Sequence, residues 1–407
     1  MNRLIFPLAL CALLAASAAA DTLGTGLQRK GRIQALADTG RAGDIYDPGV
    51  RSPKSAAFSP DGRKLYINAL EGGETLVYAW PSLKRLTVIR HDFGPGDAAL
   101  FRGETTVFGY PYFNGSEGSR NVFSGKPVEM AFSHGGRYLW VPYYRRSFDP
   151  HAASPSALAI IDTRSDRIVR VMPTGPLPKY IVVSPDSTVA VVTHWGDNTL
   201  GAIDIRGDDP AKFRYTAHWI VEYQLPVEGI TGNRDNECGF CLRGTVFTPD
   251  GKTVLVARMG GGGLAGFEVA TGRYLGTLLD LVPNPRHLVV SQDGRTLYAS
   301  GNQSGLVGRY DLAAMVQALY AADGKRVSGP GGETLAVGLG ARTIALSPDG
   351  RALYAAINNE SGLVKVDLAR WRVVDRAAVD PFTVGLAVSP DGRTIVTTSQ
   401  GRSGQGQ

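Results

Sequence analysis

The 407-residue sequence has little cysteine, no block of like charge and, after its first residues, no long apolar run. No later segment approaches the roughly 18 unbroken apolar residues that indicate a transmembrane helix. The formal net charge of +6 is modest for this length. Clustered positive charge is the usual footprint of nucleic-acid binding. We therefore expect no membrane span in the mature chain and no nucleic-acid partner.

The first residues have the pattern of a secretory signal peptide. Arg3 precedes an apolar run from Leu4 to Ala16, and small residues follow up to an Ala-x-Ala site that ends at Ala20. Residues 1–20 are therefore predicted to be a signal peptide, and residues 21–407 a single exported domain. The short start "ADT" suggests a periplasmic location.

What the chain has in quantity is glycine and proline, with 51 and 24 residues, which suits a turn-rich all-β protein. One phrase recurs, in which an apolar strand, a Pro-Asp-Gly type turn and a second strand follow one another. The seven copies are "AAFSPDGRKLYIN" (56–68), "MAFSHGGRYLWVP" (130–142), "IVVSPDSTVAVVT" (181–193), "TVFTPDGKTVLVA" (245–257), "LVVSQDGRTLYAS" (288–300), "IALSPDGRALYAA" (344–356) and "LAVSPDGRTIVTT" (386–398).

A third and a fourth strand follow several copies, for example "LAIID" (158–162) and "RIVRVMPTG" (167–175). Four strands in about 40–45 residues are typical of a β-propeller blade. The repeats resemble the YVTN-type (YncE-like) propellers of bacterial exported proteins over nearly all of the mature chain. The resemblance implies the fold and leaves the function open.

The seven phrases predict a single all-β propeller of seven four-stranded blades. Only a polar tail follows the last hairpin, so we expect residues 22–42 to supply its outer strands and close the ring, which would remove exposed sheet edges. Residues 98–110 resemble a degenerate hairpin, so eight blades remain the alternative.

A basic residue recurs where the chain enters the inner strand. The residues five positions before the Ser or Thr of each turn are Lys54, Val128, Lys179, Arg243, Arg286, Arg342 and Val384. Related loops on the same face hold His194 and Arg258, among others. Converging cations in a concave site favour an anion, and we predict a binding site for an anionic ligand here. Alternatively, these residues cap strands or pair with acids of neighbouring blades.

Cys238 and Cys241 form a Cys-x-x-Cys pair directly before the fourth repeat. An even number of cysteines in an oxidising compartment favours a disulfide. Two alternatives remain, namely a redox-active pair and a Cu(I) site in which Met259 and either His194 or His218 complete the ligands. The six histidines lack metal-motif spacing and are otherwise expected to be isolated structural or surface residues.

These features favour an exported binding or scaffolding module for an anionic small molecule or another exported protein, without a cofactor. The alternative is an enzyme of the lactonase or another hydrolase or lyase type, because residues 283–302 resemble a phrase of the lactonase-type propellers. That match covers one blade, and no catalytic residue is carried over. A redox or copper protein centred on the cysteines is the third hypothesis. The repeats also relate the chain to the haem-binding propeller domain of nitrite reductases, but Leu242 follows Cys241, so no Cys-x-x-Cys-His motif is present.

Overall fold

The computed structural model describes residues 26–101, 108–112, 115–116 and 119–401. The predicted signal peptide, residues 1–20, lies outside this part. Within it, successive antiparallel sheets follow one another along the chain. None of the described helices has the length and apolar character that crossing a membrane requires.

Each repeat phrase forms the first hairpin of a sheet, and the turn is held by its own side chains. Gly62 N–H donates to the Ser59 carbonyl (2.8 Å), while Ser59 Oγ donates to Asp61 (2.6 Å). Gly62 adopts φ +68°, where glycine has no steric penalty. In the third repeat Ser187 takes the same position with φ 55°. This local bonding fixes the register of the hairpins.

Two short strands precede the repeats and pair in parallel: β1 (Ile33–Gln34) and β2 (Ile45–Tyr46). The first blade consists of β3 (Pro53–Phe58), β4 (Lys64–Ala69), β5 (Glu74–Ala79) and β6 (Arg85–Arg90). The second consists of β7 (Asp92–Phe93), β8 (Phe123–Pro127), β9 (Ala131–Ser133), β10 (Tyr138–Arg146), β11 (Ser156–Asp162) and β12 (Arg167–Thr174). The third consists of β13 (Pro178–Val183), β14 (Val189–His194), β15 (Thr199–Asp204) and β16 (Arg214–Ile220).

The later repeats follow the same plan, with one helical insertion. The fourth blade consists of β17 (Leu242–Phe247), β18 (Thr253–Arg258), β19 (Leu264–Glu268) and β20 (Tyr274–Leu279), extended by β24 (Arg326–Ser328). The fifth consists of β21 (Pro285–Val290), β22 (Thr296–Gly301), β23 (Leu306–Asp311) and β25 (Glu333–Ala336). Helix α1 (Leu312–Ala322) follows β23. The sixth consists of β26 (Ala341–Leu346), β27 (Ala352–Ile357), β28 (Gly362–Asp367) and β29 (Arg372–Ala378). The last repeat forms only β30 (Thr383–Val388) and β31 (Ile395–Ser399).

Three short 3₁₀ helices complete the described elements: Pro95–Phe101, His134–Gly136 and Pro210–Lys212. Apolar side chains from adjacent blades form the core between the sheets. Trp140 stacks on Phe213 (5.7 Å between ring centroids), and Trp219 stacks on Phe267 (5.4 Å). The core is therefore divided into layers between the blades, and the inner strands are left to surround a central channel.

Six sheets of the described part have four or more strands, so the predicted count of seven such blades, or of eight, is not confirmed. The fold itself, a β-propeller with four-stranded blades, agrees with the prediction. The proposed degenerate hairpin at residues 98–110 is not seen where it is described, since residues 98–101 lie in a 3₁₀ helix and residues 102–107 fall outside the described part.

The expected closure by N-terminal strands differs from the structure. Among the described residues, β31 pairs only with β30, while β1 pairs with β2. The backbone N–H of Leu27 donates to Asp375, so this segment lies beside the sixth blade without adding a strand to the hairpin. A cavity of about 1260 Å³ lies between the segment, the hairpin and the two flanking blades. The ring closes by contact of β30 with β3 and β26.

Candidate functional site

The inner strands share a backbone irregularity at the predicted basic position. In β3, Pro53 pairs with Ala69 but Ser55 pairs with Asn68, so Lys54 is the extra residue of a bulge. The same shift occurs at Lys179 and Arg286, and shifts in β17 and β26 span Arg243 and Arg342. A β-bulge changes the direction in which the side chain of the extra residue points.

Five cations, here called the basic ring, come together at this level: Lys54, Lys179, Arg243, Arg286 and Arg342. Lys54 and Arg286 are each 8% exposed and Arg243 is 5% exposed. Burial, followed by the charges of Arg342 and Arg243, holds the pKa of Lys54 and of Arg286 well below the usual range. The charge of Arg243 acts on each of the other four side chains, so the five lie close to one another.

Burial also lowers the pKa of Arg342 to about 9, with the charge of Arg243 as the next cause. It lowers the pKa of Lys179 to about 7, against the opposing attraction of Asp235. The direction of these shifts follows from burial, which disfavours the charged form of a basic group.

Two carboxylates offset part of the positive charge. Glu129 Oε1 lies 2.9 Å from Arg243 Nη2, and Asp235 forms an ion pair with Lys179. Five basic side chains against two carboxylates leave three without an acidic partner. Within the described ranges, none of the other three cations, Lys54, Arg286 and Arg342, has a carboxylate within ion-pair distance. Buried charges normally have partners, so this excess of cations is the feature that an anion would satisfy.

Arg286 and Arg342 illustrate the shortage of acceptors. Arg286 Nη1 contacts Met259 Sδ at 3.1 Å, and a thioether is only a weak acceptor. Arg342 Nε is buried without a hydrogen-bond partner among the described residues. Both guanidinium groups therefore keep donors that a carboxylate or phosphate could accept.

Within the basic ring, the Lys179 side chain packs against two aromatic rings. Its Nζ lies 4.1 Å from the ring centroid of Trp195 and 4.8 Å from that of Tyr144. Trp195 Nε1 in turn donates to the Asp235 carbonyl (3.0 Å). The connection between β16 and β17 thus supplies the carboxylate that pairs with Lys179.

The same connection contains a disulfide between Cys238 and Cys241, with a Cα–Cα distance of 4.8 Å. The disulfide predicted from the sequence is thus confirmed. Cys238 is buried with Trp195, and Met259 packs against the same cluster. The disulfide therefore constrains the loop that carries Asp235. Since each sulfur is bonded to the other, neither is a thiolate, which is the form that ligates Cu(I) or attacks as a redox nucleophile.

His194 and Arg258 do not join the basic ring. His194 Nε2 accepts from the Gly175 N–H (3.1 Å), and its Nδ1 lies 2.8 Å from Thr199 Oγ1. Arg258 Nη1 lies 3.0 Å from Glu222. Both side chains end their strands inside the layers between blades, where they have local partners.

His194 instead belongs to a polar cluster with Asp197 and His218. Possible ligand atoms of the three residues lie within 4.8 Å of one another. Tyr110 Oη bonds to Asp197 and to His218 Nε2 (3.0 Å). Burial raises the pKa of Asp197 to about 6 and lowers that of His218 to about 4. The expectation of isolated histidines is therefore wrong here, because pairing of β14, β15 and β16 brings distant residues together.

A second layer, which was not predicted from the sequence, follows directly after the basic ring. Counting four positions back from each turn gives Ser55, Glu129, Tyr180, Gly244, His287, Thr343 and Gly385. Six of these seven residues, all but Gly244, line a cavity of about 420 Å³ in the channel. Tyr180 Oη lies 3.0 Å from His287 Nε2. The repeat register contained this signal, since the position is polar in five copies.

Comparison with known proteins is informative for the fold. No family model matches the chain, and no curated protein matches it either. A chain of hydrazine synthase from Kuenenia stuttgartiensis is similar, with a TM-score of 0.58 and 16% identity over 86% of this chain and 92% of that one. The β-propeller domain of Cps50 (Swd1) from Myceliophteria thermophila has a TM-score of 0.57 and 13% identity over 86% and 94%.

A chain of a mitotic checkpoint complex has a TM-score of 0.56 and 14% identity over 98% of this chain and 97% of that one. The protein has a β-propeller fold. At these identities the similarity carries the fold alone, and propellers of one architecture perform many unrelated functions. The resemblance to YVTN-type propellers is thus supported at the level of the fold.

Proposed function

We propose that this protein is an exported, YVTN-type propeller that binds an anionic ligand at its basic ring. The observation that carries the proposal is the excess of buried cations over carboxylates in the channel. Little water reaches such a site, so the electrostatic attraction between an anion and the basic side chains is stronger there than at an exposed surface. The bulges that aim the side chains pre-organise the ring, which lowers the entropic cost of binding.

The depth of the ring favours a small molecule over a flat protein partner. Lys54 and Arg286 are almost completely buried. A protein could reach them only by inserting an acidic side chain. Propellers do occur in assemblies, as the similar chain in a mitotic checkpoint complex illustrates. The recessed charge nevertheless supports a small organic anion as the ligand.

The contacts of the two carboxylates favour binding over acid–base catalysis. Glu129 is held by Arg243, and Asp235 by Lys179. Lactonase-like or other hydrolytic chemistry needs an acid or base free to exchange a proton with the substrate. Disulfides persist in oxidising compartments, so the Cys238–Cys241 disulfide supports a periplasmic location. It also argues against the copper alternative, because a disulfide sulfur is not a thiolate ligand.

The test is titration calorimetry of the mature chain with citrate at low ionic strength. The double variant Arg286→Gln/Arg342→Gln should bind citrate at least about tenfold more weakly, since each charged hydrogen bond contributes about 1.5–3 kcal/mol. The matched control is Arg214→Gln, whose side chain is 69% exposed on an outer strand. Absence of citrate binding by the wild-type chain, or equal binding by the double variant, would overturn the proposal.

A further inference from the structure

The channel changes character along the inner strands. Five inner strands, β3, β13, β17, β21 and β26, have a residue of the basic ring at their second position. Increasing residue number therefore leads away from the ring along each of these strands. In β26 the order is Arg342, Thr343, Ile344, Ala345 and Leu346. In β21 it is Arg286, His287, Leu288, Val289 and Val290. Four residues of strand correspond to roughly 13 Å.

The 420 Å³ cavity follows this order. Next to the ring it is lined by Ser55, Tyr180, His287 and Thr343, and farther along by Val289 and Leu346, among others. The basic ring is therefore followed by a polar layer that includes Glu129 and then by apolar residues, and Gln292 also lines the cavity beyond the end of β21. A pocket of this size and mixed lining is typical of small-molecule sites.

The polar layer is neutral apart from one negative charge. The Ile344 N–H points at His287 Nδ1 (3.5 Å), which leaves Nε2 to donate to Tyr180 Oη. Burial lowers the pKa of His287 to about 4, so its ring carries no charge near neutral pH. Glu129 lies on the cavity wall. A second anionic group below the ring would meet this carboxylate and no free cation.

From this order we infer that the ligand is an amphipathic organic anion, with its carboxylate or phosphate head at the basic ring and an uncharged, largely apolar body in the 420 Å³ cavity. The inference rests on the proposed function and adds the class of ligand. A compact polyanion would fill only the ring and leave the apolar walls without a partner. The apolar walls therefore favour a ligand with an apolar body.

The experiment compares two probes of equal charge, succinate and benzylsuccinate, by titration calorimetry. They differ by one benzyl group. The wild-type chain should bind benzylsuccinate at least about tenfold more tightly, because burying a phenyl ring is worth that factor or more. Leu346→Gln should remove most of this difference in affinity between the two probes. Val374→Gln, which changes an exposed apolar residue of β29, is the matched control.

The outcomes separate the two proposals. Equal affinity for both probes, with both weakened by Arg286→Gln/Arg342→Gln, would overturn the amphipathic ligand and retain the anion site. A preference for benzylsuccinate that survives Leu346→Gln would place the benzyl group elsewhere and would also overturn the inference. Insensitivity of both probes to the double arginine variant would refute the anion site itself. Circular dichroism of each variant confirms that the fold is retained.

Discussion

Replacing Glu129 by Gln should change stability and ligand affinity in opposite directions. The side chain pairs with Arg243 at 2.9 Å, and that arginine is only 5% exposed. Loss of the carboxylate leaves the buried guanidinium of Arg243 without its counter-charge and raises the number of basic side chains without an acidic partner from three to four. We expect the unliganded protein to lose stability and to bind citrate more tightly.

The expected size follows from the geometry. At 2.9 Å and an effective dielectric constant of about 20, the Coulomb attraction is about 6 kcal/mol. Part of this is offset because Glu129, with 17% of its side chain exposed, no longer has to be desolvated. Breaking one partner of a buried pair typically costs about 3–5 kcal/mol, and the lower end suits this partly solvated acid. For a chain of this length, about 3 kcal/mol corresponds to roughly 4 °C in Tm.

The assay is thermal unfolding with and without citrate, together with calorimetric titration. Glu333→Gln is the control, since it breaks an ion pair with Arg309 whose acid is 63% exposed, and should cost less than about 1 kcal/mol. Glu129→Gln should lower Tm without citrate and show a larger rise in Tm when citrate is added. An unchanged Tm, or a smaller rise with citrate than in the wild type, would refute the charge balance derived for the ring.

Two further predictions concern the Cys238–Cys241 disulfide and Lys179. Cys238→Ser/Cys241→Ser should lower the free energy of unfolding by about 2 kcal/mol in urea titrations, the value expected for so short a loop, and reductant should affect only the wild type. Because the pKa of Lys179 is about 7 in the folded chain and ordinarily 10.5, the unfolded chain binds more protons between these values. Stability should therefore rise by about 3 kcal/mol from about pH 7 to 9.5, with no slope from this group below that window. Lys179→Met should make the rise smaller by this amount, while the lowered pKa values of Lys54 and Arg342 still contribute at alkaline pH. A pH profile identical to that of the wild type would contradict the assignment.

The basic ring was predictable because a local device repeats. A four-residue turn that starts with Ser or Thr, and is Ser-x-Asp-Gly in four of the seven copies, fixes each hairpin. A count back from the turn therefore reaches the same level of the channel in every blade. Lys54 and Arg342 are far apart in sequence, yet the same count places both in the basic ring. Periodic sequence thus encoded both the fold and one layer of the site.

Residues outside the periodic positions were not predictable in the same way. His194 and Arg258 end second strands, and their direction depends on the neighbouring blade that supplies Gly175 to one and on the loop that supplies Glu222 to the other. Asp235 comes from a long irregular connection, in which no register exists to count. The N-terminal segment was expected to form outer strands, but its pairing is settled by tertiary contacts such as that of Leu27 with Asp375.

The position of Glu129, one residue after the basic position of the repeat, follows from the charge of the ring. The position that is basic in five repeats is Val128 in the second blade, and the next residue is Glu129. One acid displaced by one residue lies in the polar layer next to the basic ring, where it stabilises Arg243 and opposes a second anionic group farther along the channel. A carboxylate within the ring itself would neutralise the site. The displacement keeps positive charge available to a ligand head while limiting the stability lost to repulsion among five buried cations.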